Sequence, residues 1–368
     1  MTRQLRITLA LVLLVITIAV SRVATGFSDK EVIFYPTYGF KQGTDWIIPM
    51  RAKVQEPRSA ELMFNALFRH LPARDASETS RFKARIADFV ADDESGEDVR
   101  VQYDGDSEQK KYRIADANGR FPETDANGMV EGTLTLPDAV AQRLLAQQGS
   151  TGGWLSYRAV SAEHTAAGRV RLIEPTGVSV ISDIDDTIKV TEIPAGIQVV
   201  LTNTLYRDFV PTTELRGKYE SGGDVAFHYV SGGPWQLYRP VATFLIGGGH
   251  FPEGSFHMKT LAASIRKPVT SFEHLARFVM PDGTFQHKVT EITRIMERFP
   301  RRKFVLIGDS GEMDPEVYRQ VQSQFQTQVQ EIIIRDLTNA RQLEPNRLSG
   351  MTIVEARTVT PGLSQLSR

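Results

Sequence analysis

Val178 to Thr187 reads V-S-V-I-S-D-I-D-D-T, an apolar run that stops abruptly in a cluster of carboxylates. Val178, Val180 and Ile181 suit a strand buried on both faces. Such strands belong to parallel sheets, whose ligands lie just beyond the carboxyl ends. Asp183 and Asp185 hold that position. Two carboxylates one residue apart at a strand end can face one pocket while Ile184 turns back to the core. One can then attack as a nucleophile while the other exchanges a proton.

The chain around this stretch alternates. Val225–Val230, Phe304–Ile307 and Glu331–Ile334 are further strand candidates separated by helical patterns, which predicts an α/β fold with a parallel sheet. After Lys288, the residues Val289, Ile292, Ile295, Met296 and Phe299 recur at helical spacing until Pro300 stops them, so Lys288 opens a helix.

The first half reads differently. Val32–Phe34, Trp46–Ile48, Val99–Val101, Thr133–Leu136 and Arg169–Ile173 are β-type runs, and one amphipathic helix is expected over Ala60–Leu71. Asp-Ala-Asn-Gly occurs at Asp116 and at Asp125, and it reads as turn chemistry rather than a calcium loop. A β-rich, sandwich-like domain over residues 27–175 is therefore expected before a catalytic domain over 176–350, with a tail over 351–368.

Arg3 and Arg6 precede the largely apolar run Ile7–Val20 and then small residues, the pattern of an export signal over residues 1–26. As a helix the run would span about 21 Å, short of the roughly 30 Å of a bilayer core. A cleaved signal and a periplasmic location are expected, with an uncleaved anchor in the inner membrane as the alternative. The absence of cysteine excludes thiolate metal sites, disulfides and cysteine nucleophiles. A net charge of −1 offers no global basic field, so nucleic-acid binding has no compositional support.

Three further segments carry motif character: Tyr229-Val230-Ser231-Gly232-Gly233, His287-Lys288, and Leu306-Ile307-Gly308-Asp309-Ser310-Gly311-Glu312-Met313-Asp314. With D-I-D-D-T they resemble, in order, the four motifs of the haloacid dehalogenase (HAD) superfamily of phosphotransferases. From Thr176 to Asp336 the wording resembles more closely the catalytic domain of the actin-patch-type phosphatidate phosphatases. The resemblance implies a HAD-like parallel sheet. The short insert Lys189–Gly223 then makes a cap that is small or absent. It implies Asp183 as the nucleophile that becomes an aspartyl-phosphate and Asp185 as the acid/base.

In the same reading Lys288 neutralises the transferring group, and Thr187, Ser231 and Gly232 bind or shape the phosphate site. Mg²⁺ is the implied cofactor, with Asp183, Asp185, Asp309 and Asp314 as ligands, since those carboxylates would otherwise repel one another around a phosphate dianion. Asp314 before Pro315 is also a helix-cap pattern, and Thr187 suits a turn-shaping bond to Asp185. His228 reads as a core hydrogen-bonding group, His287 as a neighbour of Lys288, and Arg301-Arg302-Lys303 as a solvated turn able to meet anionic lipid. Asp186 falls outside the motif spacing.

The implied activity is Mg²⁺-dependent hydrolysis of phosphatidate to diacylglycerol and phosphate, with a membrane surface as a partner. The alternatives are an exported phosphatase of soluble phosphomonoesters, or an envelope lipid-binding or adhesive protein with incidental phosphatase activity.

Overall fold

The computed structural model describes residues 30–57, 60–71, 74–160, 166–219, 224–248, 251–261, 265 and 267–356. The expected export signal lies outside the described residues, as does the tail from 357 onward. No helix among the described residues is long and apolar enough to cross a membrane.

Nine strands build the first sheet: β1 (Glu31–Phe34), β2 (Thr37–Gln42), β3 (Asp45–Glu56), β4 (Asp92–Asp93), β5 (Arg100–Tyr103), β6 (Tyr112–Arg113), β7 (Met129–Pro137), β8 (Trp154–Ala159) and β9 (Ala167–Leu172). Alternate residues of β3, namely Trp46, Ile48, Met50, Ala52 and Val54, enter one core shared with Val101, Leu134, Leu155, Tyr157 and Val170. This is the expected β-rich half. Asp116 and Asp125 close their own turns, each Oδ1 accepting two backbone amides.

The second sheet is all parallel. Its strands are β10 (Thr176–Ser182), β11 (Val225–Pro234), β12 (Ser255–Lys259), β13 (Arg301–Asp309), β14 (Val329–Asp336) and β15 (Thr352–Glu355), in the order β12-β11-β10-β13-β14-β15. The strand order reverses between β10 and β13, the switch point where parallel sheets open a crevice. Alternation puts Val180 and Ile307 in the core on one face, and Ile181, Phe304 and Leu306 in the core on the other. The sheet runs past residue 350, because β15 pairs with β14.

Helix Thr284–Arg298 buries Val289, Ile292, Ile295 and Met296, as its periodicity predicts. The helix expected over Ala60–Leu71 spans Ala60–Leu67. A second helix, Ala76–Val90, is capped by Asp75, whose carboxylate accepts the Glu78 amide. Its Phe82, Ile86 and Phe89 pack in one core with Leu201, Leu205, Tyr206 and Leu215 of the insert after β10. The backbone continues the connection, since Phe89 O accepts from Ile265 N at 2.8 Å and Leu67 O from Val269 N at 2.6 Å.

Arg302 corrects one expectation. It is buried at the amino end of β13, and its guanidinium donates to Ser179 Oγ at 2.9 Å and to the carbonyls of Glu174, Thr176 and Val178. The middle residue of the basic run is thus a cap on strand ends, facing no solvent.

Candidate active site

Register fixes where the carboxylates meet. Ser182 lies opposite Tyr229 of β11 and Ile307 of β13, so Asp183, Ser231 and Asp309 leave three adjacent strands at the same end. The Asp183 amide extends the ladder by donating to Ile307 O at 2.9 Å. Helix Asp314–Gln324 begins there too, but its cap is Met313, and the Asp314 carboxylate turns into the site to accept Lys288 Nζ and the Asp309 amide, where a helix-cap role was the alternative expected. Gly308 admits it closely, because a Cβ at that position would lie 2.5 Å from Asp314 Oδ2.

Lys288 stands among the acids. Its Nζ lies 2.5 Å from Asp314 Oδ1, 2.8 Å from Asp183 Oδ1 and 3.1 Å from Glu312 Oε2, with Lys288, Asp183 and Asp314 all buried. Asp309 Oδ1 accepts the amides of Gly311 and Glu312, and its Oδ2 accepts Thr187 Oγ1 at 3.3 Å. Thr187 therefore braces Asp309, where a bond to Asp185 was expected.

One ammonium cannot neutralise four carboxylates in a dry site. Burial pushes the Asp183 carboxyl well above its ordinary range, and the Asp314 and Glu312 carboxylates add to the rise against the pull of Lys288. Burial, then Asp314 and Asp183, raise Asp309 in the same way. Burial alone would lower the Lys288 ammonium, but Asp183, Asp314 and Glu312 overcome it and hold it above its usual value.

Asp183, Asp309 and Asp314 each offer an oxygen, all within 4.8 Å of one another, and neither Asp183 oxygen meets an aligned hydrogen-bond donor. Hard carboxylate oxygens with uncommitted lone pairs suit a divalent cation such as Mg²⁺. Asp185 stands outside this group. Its Oδ1 accepts Thr191 Oγ1 at 2.6 Å and pairs with Lys189 Nζ at 2.6 Å. Burial would raise Asp185, but Lys189 and Thr191 hold it below the ordinary carboxylate value.

Ser231 Oγ accepts the Gly233 amide at 3.0 Å and so shapes the loop, while Gly232 and Gly233 line the cavity. A Cβ on Gly232 would lie 2.5 Å from Thr284 Cγ2, which explains the glycine. His228 is buried away from the acids, bonded to Ser255. His287 is half-buried and pushed down to about 4 by burial, so it stays neutral beside Lys288.

Sequence reasoning missed Glu312, Lys189, Thr191 and the task of Asp186. Asp186 adopts a positive φ of 56° and gathers the amides of Thr191, Glu192 and Ile193 on its carboxylate. It thereby sets the course of the insert that delivers Thr191 to Asp185. The turn-forming Asp-Asp-Thr run was the available signal.

The site borders a cavity of about 490 Å³. Asp185, Lys189, Lys288 and Glu312 lie at its polar side, and Val200, Phe209, Leu237, Val241, Met258 and Val279 form much of the rest. The insert walls the site together with the segment before helix 284–298.

A strand-end acid cluster with a buried lysine at the switch point of a parallel sheet defines a hydrolase-like α/β domain. Residues 178–336 match the family model of the phosphatidate phosphatase APP1 catalytic domain. Over 174 residues the chain is 30% identical to phosphatidate phosphatase APP1 of Saccharomyces cerevisiae, covering 46% of this chain and 27% of the yeast protein. It is 27% identical over 173 residues to an uncharacterized protein of Schizosaccharomyces pombe, covering 46% and 26%. The alignments thus span about a quarter of the length of these relatives. A solved carbohydrate esterase aligns over 82% of this chain and 87% of its own at a TM-score of 0.20 and 10% identity, a likeness that carries no argument.

Proposed function

We propose that this chain hydrolyses phosphatidate to diacylglycerol and phosphate on a HAD-like catalytic domain. The observation that carries the reading is the buried cluster of Asp183, Asp309 and Asp314 around Lys288, which with Asp185 and Glu312 lines a mainly apolar cavity within a segment that matches a phosphatidate phosphatase catalytic domain. A soluble sugar phosphate has no use for such walls, whereas a lipid ester brings a charged head and an apolar body to one site.

Asp183 attacks phosphorus, and the phosphorus–oxygen bond to diacylglycerol breaks as an aspartyl-phosphate forms. Asp185 gives the departing alkoxide its proton, having been raised by the approach of the phosphate dianion. It then takes a proton from water, whose oxygen attacks phosphorus and frees the Asp183 carboxylate and phosphate. Lys288 offsets charge on the transferring group throughout. Mg²⁺ bound by Asp183, Asp309 and Asp314 would supply Lewis-acid stabilisation of the phosphoryl oxygens. Export to the periplasm, read from residues 1–26, belongs to the same proposal.

Phosphate release from micellar phosphatidate should exceed release from a panel of soluble phosphomonoesters, and Asp183→Asn should abolish it while the circular dichroism spectrum is retained. Comparable or better turnover of soluble esters would reject the lipid substrate. Near-normal release by Asp183→Asn would reject the mechanism.

A further inference from the structure

The cavity wall contributed by the insert is held from outside the matched segment. Its central piece, Thr202–Tyr206, is a π-helix closed by Arg207 N donating to Thr202 O at 3.1 Å. Such wide turns are rare and cluster at functional sites. Arg85, on helix Ala76–Val90, is buried and donates through Nη1 to Thr204 O at 2.6 Å. The same guanidinium sits 3.7 Å from the centroid of the Phe209 ring.

Two neighbours tie the same piece down. Arg81 donates to Tyr206 O at 2.9 Å and grips Asp208 with two nitrogens, and Phe82 stacks on Tyr206 at 4.7 Å. Thr204 and Phe209 line the cavity with Val200. A guanidinium this buried has few reasons to exist unless it orders what it touches. It reaches none of the site carboxylates by hydrogen bond or ion pair in the structure.

Resting on the phosphatase reading, we propose that Val200, Thr204 and Phe209 form a subsite for the part of an acyl chain nearest the headgroup, and that Arg85 is its positioning residue. Arg85 fixes the π-helical carbonyls and the Phe209 ring, so the wall stands ready before the lipid arrives. Preorganisation of this kind lowers the ordering cost of binding without touching the reacting atoms. The first half of the chain thereby sets substrate choice for chemistry performed in the second.

The test uses the full chain as wild type, Arg85→Met and Phe209→Ser, the second at a half-buried position, with the folding of each variant checked by circular dichroism. A ladder of n-alkyl phosphates from methyl to dodecyl is titrated calorimetrically in Mg²⁺. Wild-type affinity should climb roughly three- to four-fold per methylene, then level off once the wall is covered. Both variants should flatten that climb. Their kcat/KM for dioctanoyl phosphatidate should fall about ten-fold further than that for glycerol phosphate, mainly through KM. An unchanged slope in both variants, or equal losses on the two esters, would overturn the proposal, as would a wild type indifferent to chain length. A chain-length climb without phosphate release from any ester would uphold the subsite and reject the phosphatase reading. Release with no climb would do the reverse.

Discussion

Asp309→Asn should stabilise the protein in chelator and destabilise it, relative to wild type, in Mg²⁺. Asparagine keeps the shape and can still accept the Gly311 and Glu312 amides, but it removes one negative charge from a buried group of four carboxylates around Lys288. The Asp309 carboxyl stands above its ordinary value, first because of burial and then because of Asp314 and Asp183. A raised carboxyl contributes stability that is complete below its unfolded value of about 4 and is lost as pH rises through the folded value. In chelator the variant's advantage therefore opens upward from that pH. Each unit of the rise corresponds to about 1.4 kcal/mol, or roughly 3–6 °C in Tm for a domain of this size. In Mg²⁺ at about 100 times Kd, wild type should gain roughly 2.7 kcal/mol, or about 5–11 °C, and the variant little. Scanning calorimetry at pH 5 to 8 in chelator and in Mg²⁺ reads both effects. A variant less stable than wild type in chelator with an undiminished Mg²⁺ shift would refute the reasoning and leave Asp309 a loop brace.

Gly308→Ala should cost about 1–3 kcal/mol and most phosphate release, because its Cβ would press on Asp314; denaturant titration beside an activity assay checks this, and normal activity would contradict the packing. Arg302→Met should lose roughly 2–4 kcal/mol by orphaning three strand-end carbonyls, with kcat within about two-fold of wild type since it caps the opposite end of the sheet; a large kcat loss at full folding would contradict that placement. Asp185→Asn should slow phosphoenzyme formation by roughly 10²- to 10⁴-fold with alkyl phosphates but far less with nitrophenyl phosphate; burst kinetics showing equal slowing would remove the acid role.

The parallel sheet and the ends of β10 and β13 were legible because burial on both faces and an abrupt polar stop are local signals. Lys288 was legible from the strongly periodic run that follows it, although the helix begins at Thr284, a turn earlier than expected. Helix Ala76–Val90 was readable from Asp75 and the spacing of Phe82, Ile86 and Phe89, but the β-type runs around it drew the reading away. Lys189 and Thr191 could not be assigned, because their partner Asp185 is met only after Asp186 turns the chain. Arg302 misled for a related reason: three basic residues in a row look solvated, and only the neighbouring strand ends reveal an acceptor set for the middle one. The dependence of the cavity wall on Arg85 joins residues more than a hundred positions apart, a distance over which periodicity says nothing.

The two aspartates of the D-I-D motif differ in a way that bears on their order of action. Asp183 is raised by burial and by neighbouring acids, while Asp185, two residues on, is held down by Lys189 and Thr191. Paired groups with divergent environments are the usual mark of divided acid and base roles. Here the resting assignment is the reverse of what attack requires, since a nucleophile must be ionised and an acid protonated. On the proposed mechanism, a cation held by Asp309 and Asp314 would favour ionised Asp183, and an incoming phosphate dianion would favour protonated Asp185. Both changes require an occupied site. On that proposal, a cluster reaching its reactive ionisation only with cation and substrate together would be protected from attacking the wrong ester, and the burial of Asp183 would make that coupling strong.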